Sequence, residues 1–213
     1  MILDGFITDI HEGYVLIKAP ADIGYILDKK VNRCDIFLRD GRTISREQQK
    51  KAYALMRDIS LWSGHTPDEI KELAKYDYLS KVGGEMFSLS DCSVTFARGF
   101  IDYLVEFCLI HDIPCQDSLL SMCEDVGRYL YLCLIHKRCC ICGKKTQLHH
   151  VDTIGMGYDR NEPIHIGKRA EALCFRHHRE CHDIGQKEFD ERYHVYGVEI
   201  DTVIADKYRL KKG

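Results

Sequence analysis

The chain has no apolar run near the roughly 20 residues that a membrane-crossing helix needs, which argues against a membrane protein. Its first residues, Met1-Ile2-Leu3-Asp4-Gly5, lack a basic stretch followed by an apolar one. A secretory leader is therefore not expected, and the expected location is cytoplasmic. Net charge is only −3, so charge alone names no partner. No disulfide framework is legible either. Of the 11 cysteines, Cys34, Cys92, Cys108, Cys115, Cys123 and Cys133 lie apart in apolar contexts and read as buried thiols in a reducing compartment. A Gly- or Pro-rich linker is also missing before Cys139, which predicts that whatever lies on either side is closely coupled. With 213 residues, 45% hydrophobic and 10% aromatic, the composition is that of one large or two small globular domains.

What is present is concentrated between Cys139 and His182. Cys139-Cys140-Ile141-Cys142 has the spacing of a zinc knuckle, and Cys174-Phe175-Arg176-His177 supplies a second pair at the same spacing. Together Cys139, Cys142, Cys174 and His177 make the closed four-donor set of a structural zinc site. A lone Cys-x-x-Cys is also a redox motif, but no strand-turn-helix context surrounds this one. Cys140 and Cys181 fit the ligand spacing less well and read as bystanders, as do His136 and His194. Removing the four zinc donors leaves His149, His150, His178 and His182. The ordinary reading of that remainder is a chance cluster or a second structural zinc. The sharper reading is a catalytic site held in place by the zinc. His178 and His182, at i and i+4, fall on one helix face.

These residues resemble an HNH endonuclease, the ββα-metal finger, in the form reinforced by a zinc knuckle. The resemblance implies that His149 is a metal ligand, that His150 is the general base, and that His178 and His182 complete the catalytic metal site. The family's middle Asn has no clean counterpart. Asn161 and His165 both lie in the connecting segment, and His165 ranks first because Ile164-His165-Ile166 reads as an ordered piece. The chemistry suits the residue types. A near-neutral imidazole accepts a proton from water, and a divalent ion polarises the phosphate and stabilises the leaving oxygen. The expected cofactors are Zn2+ at the structural site and Mg2+ or another divalent metal such as Mn2+, Ni2+ or Zn2+ at the catalytic one. Adjacent strand residues point to opposite faces, so dividing two roles between His149 and His150 calls for a local twist or bulge.

The region before Cys139 reads as α+β. Strands are expected near 6–10, 14–18 and 34–38. A helix opens at Ser45 with the capping box Ser45-x-x-Gln48 and carries the stripe Ala52, Leu55, Met56, Ile59 and Trp62. Another follows Thr66-Pro67-Asp68-Glu69. Ser90-Asp91 is expected to cap a third, striped by Phe96, Phe100, Leu104 and Phe107. A last helix is expected from about 117 to 136. Residues 1–136 carry 15 Lys+Arg against 21 Asp+Glu, a net of −6, whereas residues 137–213 carry 15 against 12, a net of +3. The basic side chains Lys137, Arg138, Lys144, Lys145, Lys168, Arg169, Arg176 and Arg179 flank the donor residues, where they suit phosphates.

The block Asp40-Gly41-Arg42-Thr43-Ile44-Ser45-Arg46-Glu47-Gln48-Gln49, the helix ending Asp58-Ile59-Ser60-Leu61-Trp62, and Phe87-Ser88-Leu89-Ser90-Asp91 are together similar to the phage lambda Orf (NinB) recombination mediators, over roughly 40–115. The whole chain thus resembles the HNHc nucleases of phages infecting Gram-positive bacteria. The resemblance implies an Orf-like α+β module over 1–136, followed by a zinc-stabilised ββα-metal HNH nuclease domain over 137–213. It implies DNA as substrate, branched or single-stranded recombination intermediates of a phage, with single-strand-binding protein as a partner and a homodimer as the assembly. The alternative is a non-catalytic, zinc-containing mediator that binds single-stranded DNA.

Overall fold

A computed structural model describes residues 5–30, 36, 41–152 and 165–211. It mixes helices with small sheets, as the α+β expectation required. The hairpin β1 (Phe6–His11) and β2 (Tyr14–Lys18) turns at Glu12-Gly13, and every residue of β1 is exposed. A short α1 (Ile23–Asp28) follows. The strand expected over 34–38 lies outside the described residues, Ile36 excepted.

Next come α2 (Arg46–Ser63) and α3 (Pro67–Val82), and their starts are local chemistry. The Ser45 hydroxyl accepts from the Gln48 N–H, while the Gln48 side chain accepts from the Ser45 N–H, both at 3.1 Å. Thr66 and Glu69 repeat the arrangement for α3. Gly64 ends α2 with φ +79°, a left-handed cap that costs a glycine little. The stripe holds inward through Ile59, but Trp62 remains 48% exposed, beside the ring of His111.

The third long helix, α4 (Val94–Ile110), is capped by Ser93 rather than by Ser90-Asp91. The Ile44 N–H donates to the Cys92 carbonyl and the Val94 N–H to the Arg42 carbonyl. This two-strand contact keeps the chain extended through residue 93, so the helix begins later. The expected helix over 117–136 is broken into α5 (Leu119–Met122) and α6 (Val126–His136). Asp102 of α4 explains the break: its carboxylate accepts from the Glu124 and Asp125 N–H groups at 2.8 and 3.2 Å. Asp125 then caps α6 through the Arg128 N–H. The apolar pattern reads through the break because Cys123, Leu130 and Cys133 on its two sides enter the same core.

Beyond Lys137, which turns the chain with φ +54°, come β3 (Gln147–His150), β4 (Arg169–Leu173), α7 (Phe175–Ile184), α8 (Gln186–Tyr193), β5 (Val198–Glu199) and α9 (Thr202–Tyr208). The sheet order is β3-β4-β5, all antiparallel, so among the described residues β3 is an edge strand. The helix α7 packs across β3 and β4, completing a ββα unit. The core is continuous from α2 to α9, with α6 touching α4 on one side and β4, β5 and α9 on the other. Phe100, Leu104, Leu134, Leu173, Ile200 and Ile204 are fully buried in it, each adding roughly 1.5–3 kcal/mol of apolar transfer.

Candidate metal centres

The knuckle is a tight turn just past α6. The Cys139 N–H donates to the Lys144 carbonyl, and the Gly143 N–H, at φ +69°, donates back to the Cys139 carbonyl. Cys140 is buried and ties the turn to the sheet through its N–H to the Ala172 carbonyl. The second pair sits at the start of α7, with Cys174 as its N-cap and His177 in the first turn. Cys139 Sγ lies 3.3 Å and Cys174 Sγ 3.4 Å from His177 Nδ1, and Cys142 Sγ lies 3.7 Å from Cys174 Sγ. All four donor atoms fall within 4.8 Å of one another.

These three spacings are close to the edges of a metal-centred tetrahedron. Bonds of about 2.3 Å to sulfur and 2.0–2.1 Å to nitrogen give donor–donor edges of roughly 3.5–3.8 Å. Burial pushes the Cys139 thiol up to about 12, so a thiolate there calls for a cation. Burial acts in the same direction on Cys174. The His177 N–H and the Cys142 and Cys139 thiols outweigh it, and Cys174 ends below its ordinary value. Cys139, Cys142, Cys174 and His177 therefore form a potential metal site, buried except at Cys142.

The second cluster uses the neighbouring face of α7. His149 of β3 is buried, His178 half-buried and His182 exposed, and one ring nitrogen from each can lie within 4.8 Å of the others. Ring centroids are 4.6 Å apart for His149–His178, 5.2 Å for His149–His182 and 4.9 Å for His178–His182. The cluster borders an open depression lined by Gln147, Phe175, His178, Arg179 and His182. Burial lowers the pKa values of His149 and His178, which favours the neutral, ligating form. Three donors, two of them lining a depression, leave room for a further ligand, which suits a working metal site rather than a closed one.

His150 is placed differently. The β3–β4 ladder is regular, pairing His149 with Glu171 and His150 with Ala170, and the Val151 N–H extends it to the Arg169 carbonyl. There is no bulge here, so the two imidazoles leave opposite faces of the strand. His150 Nε2 meets His165 Nδ1 at 3.0 Å, so these two expected site residues are brought together. Burial lowers both, His150 further through the charge of His165 and His165 through that of Lys168. Asn161, the other candidate for the middle position, lies outside the described residues.

Of the flanking cations, Arg138 pairs with Asp112 at 2.9 Å and Arg169 with Asp152 at 2.6 Å. Lys137 lies over the Tyr208 ring. These three are engaged within the fold, while Arg176 and Arg179 are exposed on α7, Arg179 lying 3.9 Å from Asp183. Sequence reasoning missed Glu171, Gln186 and Asp190, which pack behind His149. A signal existed for Glu171, a lone acid within the apolar run Ala170-Glu171-Ala172-Leu173, and it is only 2% exposed.

A family model described as "Putative HNHc nuclease" matches residues 17–212 of the chain. No curated protein and no solved structure matches it.

Proposed function

The chain belongs to this family of HNHc nucleases, and from that premise we propose that it is a metal-dependent DNA endonuclease. The observation that carries the proposal is the open three-histidine cluster built on the same helix as a closed cysteine-rich site. In this reading Cys139, Cys142, Cys174 and His177 hold a structural Zn2+, and His149, His178 and His182 hold a catalytic divalent ion. When bound, that ion supplies positive charge for the scissile phosphate and the leaving oxygen.

His150 is the general base. His165, 3.0 Å from it, holds the imidazole in one orientation and takes the place of the family's middle Asn. Among the described residues β3 lies at the edge of its sheet. In this reading a phosphodiester laid along that edge meets the metal held by His149, His178 and His182 on one side and His150 on the other. Arg176 and Arg179 offer phosphate contacts beside it.

The substrate proposed is a branched or single-stranded recombination intermediate of a phage, cut in the cytoplasm of its bacterial host. Residues 1–136 act as the Orf-like DNA-binding part and 137–213 as the nuclease part. Arg46, Lys50, Tyr53 and Arg57 line one depression along α2. A row of cations around one aromatic ring suits a single strand, through phosphate contacts and stacking. Association with single-strand-binding protein and a homodimer belong to the same reading. The division is one of function, since α6 packs against both parts.

The test is cleavage of single strand, duplex, flap, D-loop and four-way junction, with each divalent metal and with chelator. Metal-dependent cutting supports the proposal. The regular ladder between His149 and His150 favours a second reading, a non-catalytic zinc-containing mediator. Binding without cutting under every metal would establish that reading instead.

A further inference from the structure

Behind His149 lies a group of polar side chains that metal ligation itself does not use. Gly185, with φ +87°, turns the chain between α7 and α8 and places Gln186 at the first position of α8. From there the Gln186 side chain reaches the sheet. Its Oε1 lies 2.9 Å from His149 Nε2. Its Nε2 lies 2.6 Å from Asp190 Oδ1 and 3.2 Å from Glu171 Oε2. The Cys181 thiol packs against the same junction, 3.4 Å from Gln186 Oε1 and 3.5 Å from His149 Nε2.

The directions of these bonds are not interchangeable. An ionised carboxylate only accepts, so the amide NH2 of Gln186 must face Asp190, 2.6 Å away. Its carbonyl oxygen must then face His149, and His149 Nε2 must carry the proton. That leaves the Nδ1 lone pair as the only one the ring has free. Glu171 sits directly opposite His149 in the ladder, and among the described residues its buried Oε1 has no partner of good hydrogen-bond geometry. A buried acid with an unsatisfied oxygen is costly, and its retention wants a reason.

We propose that Gln186, aimed by Asp190 and Glu171, is a positioning residue that fixes His149 as its Nε2–H tautomer and reserves Nδ1 for the divalent ion. The inference rests on the reading of His149 as a ligand. Ligating imidazoles commonly donate their second N–H to an oxygen partner, and removing that partner weakens metal binding about 10–100-fold.

The experiment uses the full chain with its cysteine-rich site zinc-loaded. Free Mn2+ is counted by electron paramagnetic resonance during titration of the parent and of Gln186→Leu. The expected result is Mn2+ binding about 10–100-fold weaker in the variant, with zinc content and thermal midpoint close to the parent's. Cleavage lost at low Mn2+ should return at high Mn2+. Equal Mn2+ affinity in parent and variant overturns the relay and leaves the nuclease reading standing. A parent that binds no Mn2+, Mg2+ or Ni2+ overturns the reading of the site itself, and the relay with it.

Should Gln186→Leu melt early, the parent decides alone. Long-range proton–nitrogen spectra of its histidine rings should show His149 protonated at Nε2, and added Zn2+ should shift the Nδ1 resonance. A proton on Nδ1 of His149 overturns the proposal.

Discussion

The two clusters on α7 share a helix and differ in almost everything else. Cys174 and His177 point to the knuckle, where four donor atoms lie within 4.8 Å of one another. One residue further on, His178 turns about a quarter of the way round the helix and, with His182, packs against His149 beside an open depression. In the proposed reading, a metal held by all four donors of the first set would fix where α7 starts relative to β4, and the second set would inherit that placement at its next residue. Full coordination would make the first a structural device, and a free position would make the second available for chemistry.

The largest effect should come from opening the closed set. Cys139→Ala removes a fully buried donor and leaves the others without a complete tetrahedron. Closure of such sites contributes about 10 kcal/mol or more in small zinc domains. The expected outcome is loss of tightly bound zinc, by elemental analysis, and loss of protected amides in β3, β4 and α7, by hydrogen exchange. If well-folded parent protein carries no zinc at all, the distinction between the two clusters fails at its root.

At the open set and at His150 beside it in the chain, the contrast predicts loss of activity without loss of fold. His150→Ala removes the proposed base, and cleavage should fall roughly 10²–10⁴-fold with metal binding and melting unchanged. His178→Ala and His182→Ala should instead weaken the catalytic ion more than the roughly 10–100-fold typical of an outer partner, and raised metal should restore part of the rate. Rescue of His150→Ala by metal, with no rescue of His149→Ala, would exchange the roles of the adjacent pair.

How much of this was legible in the sequence follows from how local each signal is. The zinc-type donors and the i, i+4 histidines are short-range patterns, and the structure brings each set together. The caps at Ser45 and Thr66 are four-residue chemistry and appear as expected. The break before α6 was not legible, because its cause is Asp102, more than 20 residues away in sequence. The later start of α4 likewise depends on pairing with residues 42–44. The support behind His149 was hidden for the same reason: Glu171, Gln186 and Asp190 come from a strand and a helix that meet only in the fold.

That support separates the two clusters in a subtler way, through pH. Burial, and then the charge of Asp190, raise the Glu171 carboxyl from 4.5 to about 7. In the unfolded chain the group ionises near its ordinary value. Between those two values the folded chain holds more protons than the unfolded one, so stability falls as pH rises through this window and levels off above it. Glu171→Gln removes the titration. Its amide oxygen keeps an acceptor for Gln186, and its NH2 stands where the unpartnered Oε1 was, near Asp190. The variant should match the parent near pH 5 and exceed it at pH 8 by roughly 1–3 kcal/mol, since each pKa unit is worth about 1.4 kcal/mol. Urea unfolding of zinc-loaded protein with the three-histidine site kept metal-free measures the difference. A gap that does not change between pH 5 and pH 8 would mean that Glu171 is already ionised in the fold, and that the open site tolerates a buried charge behind it.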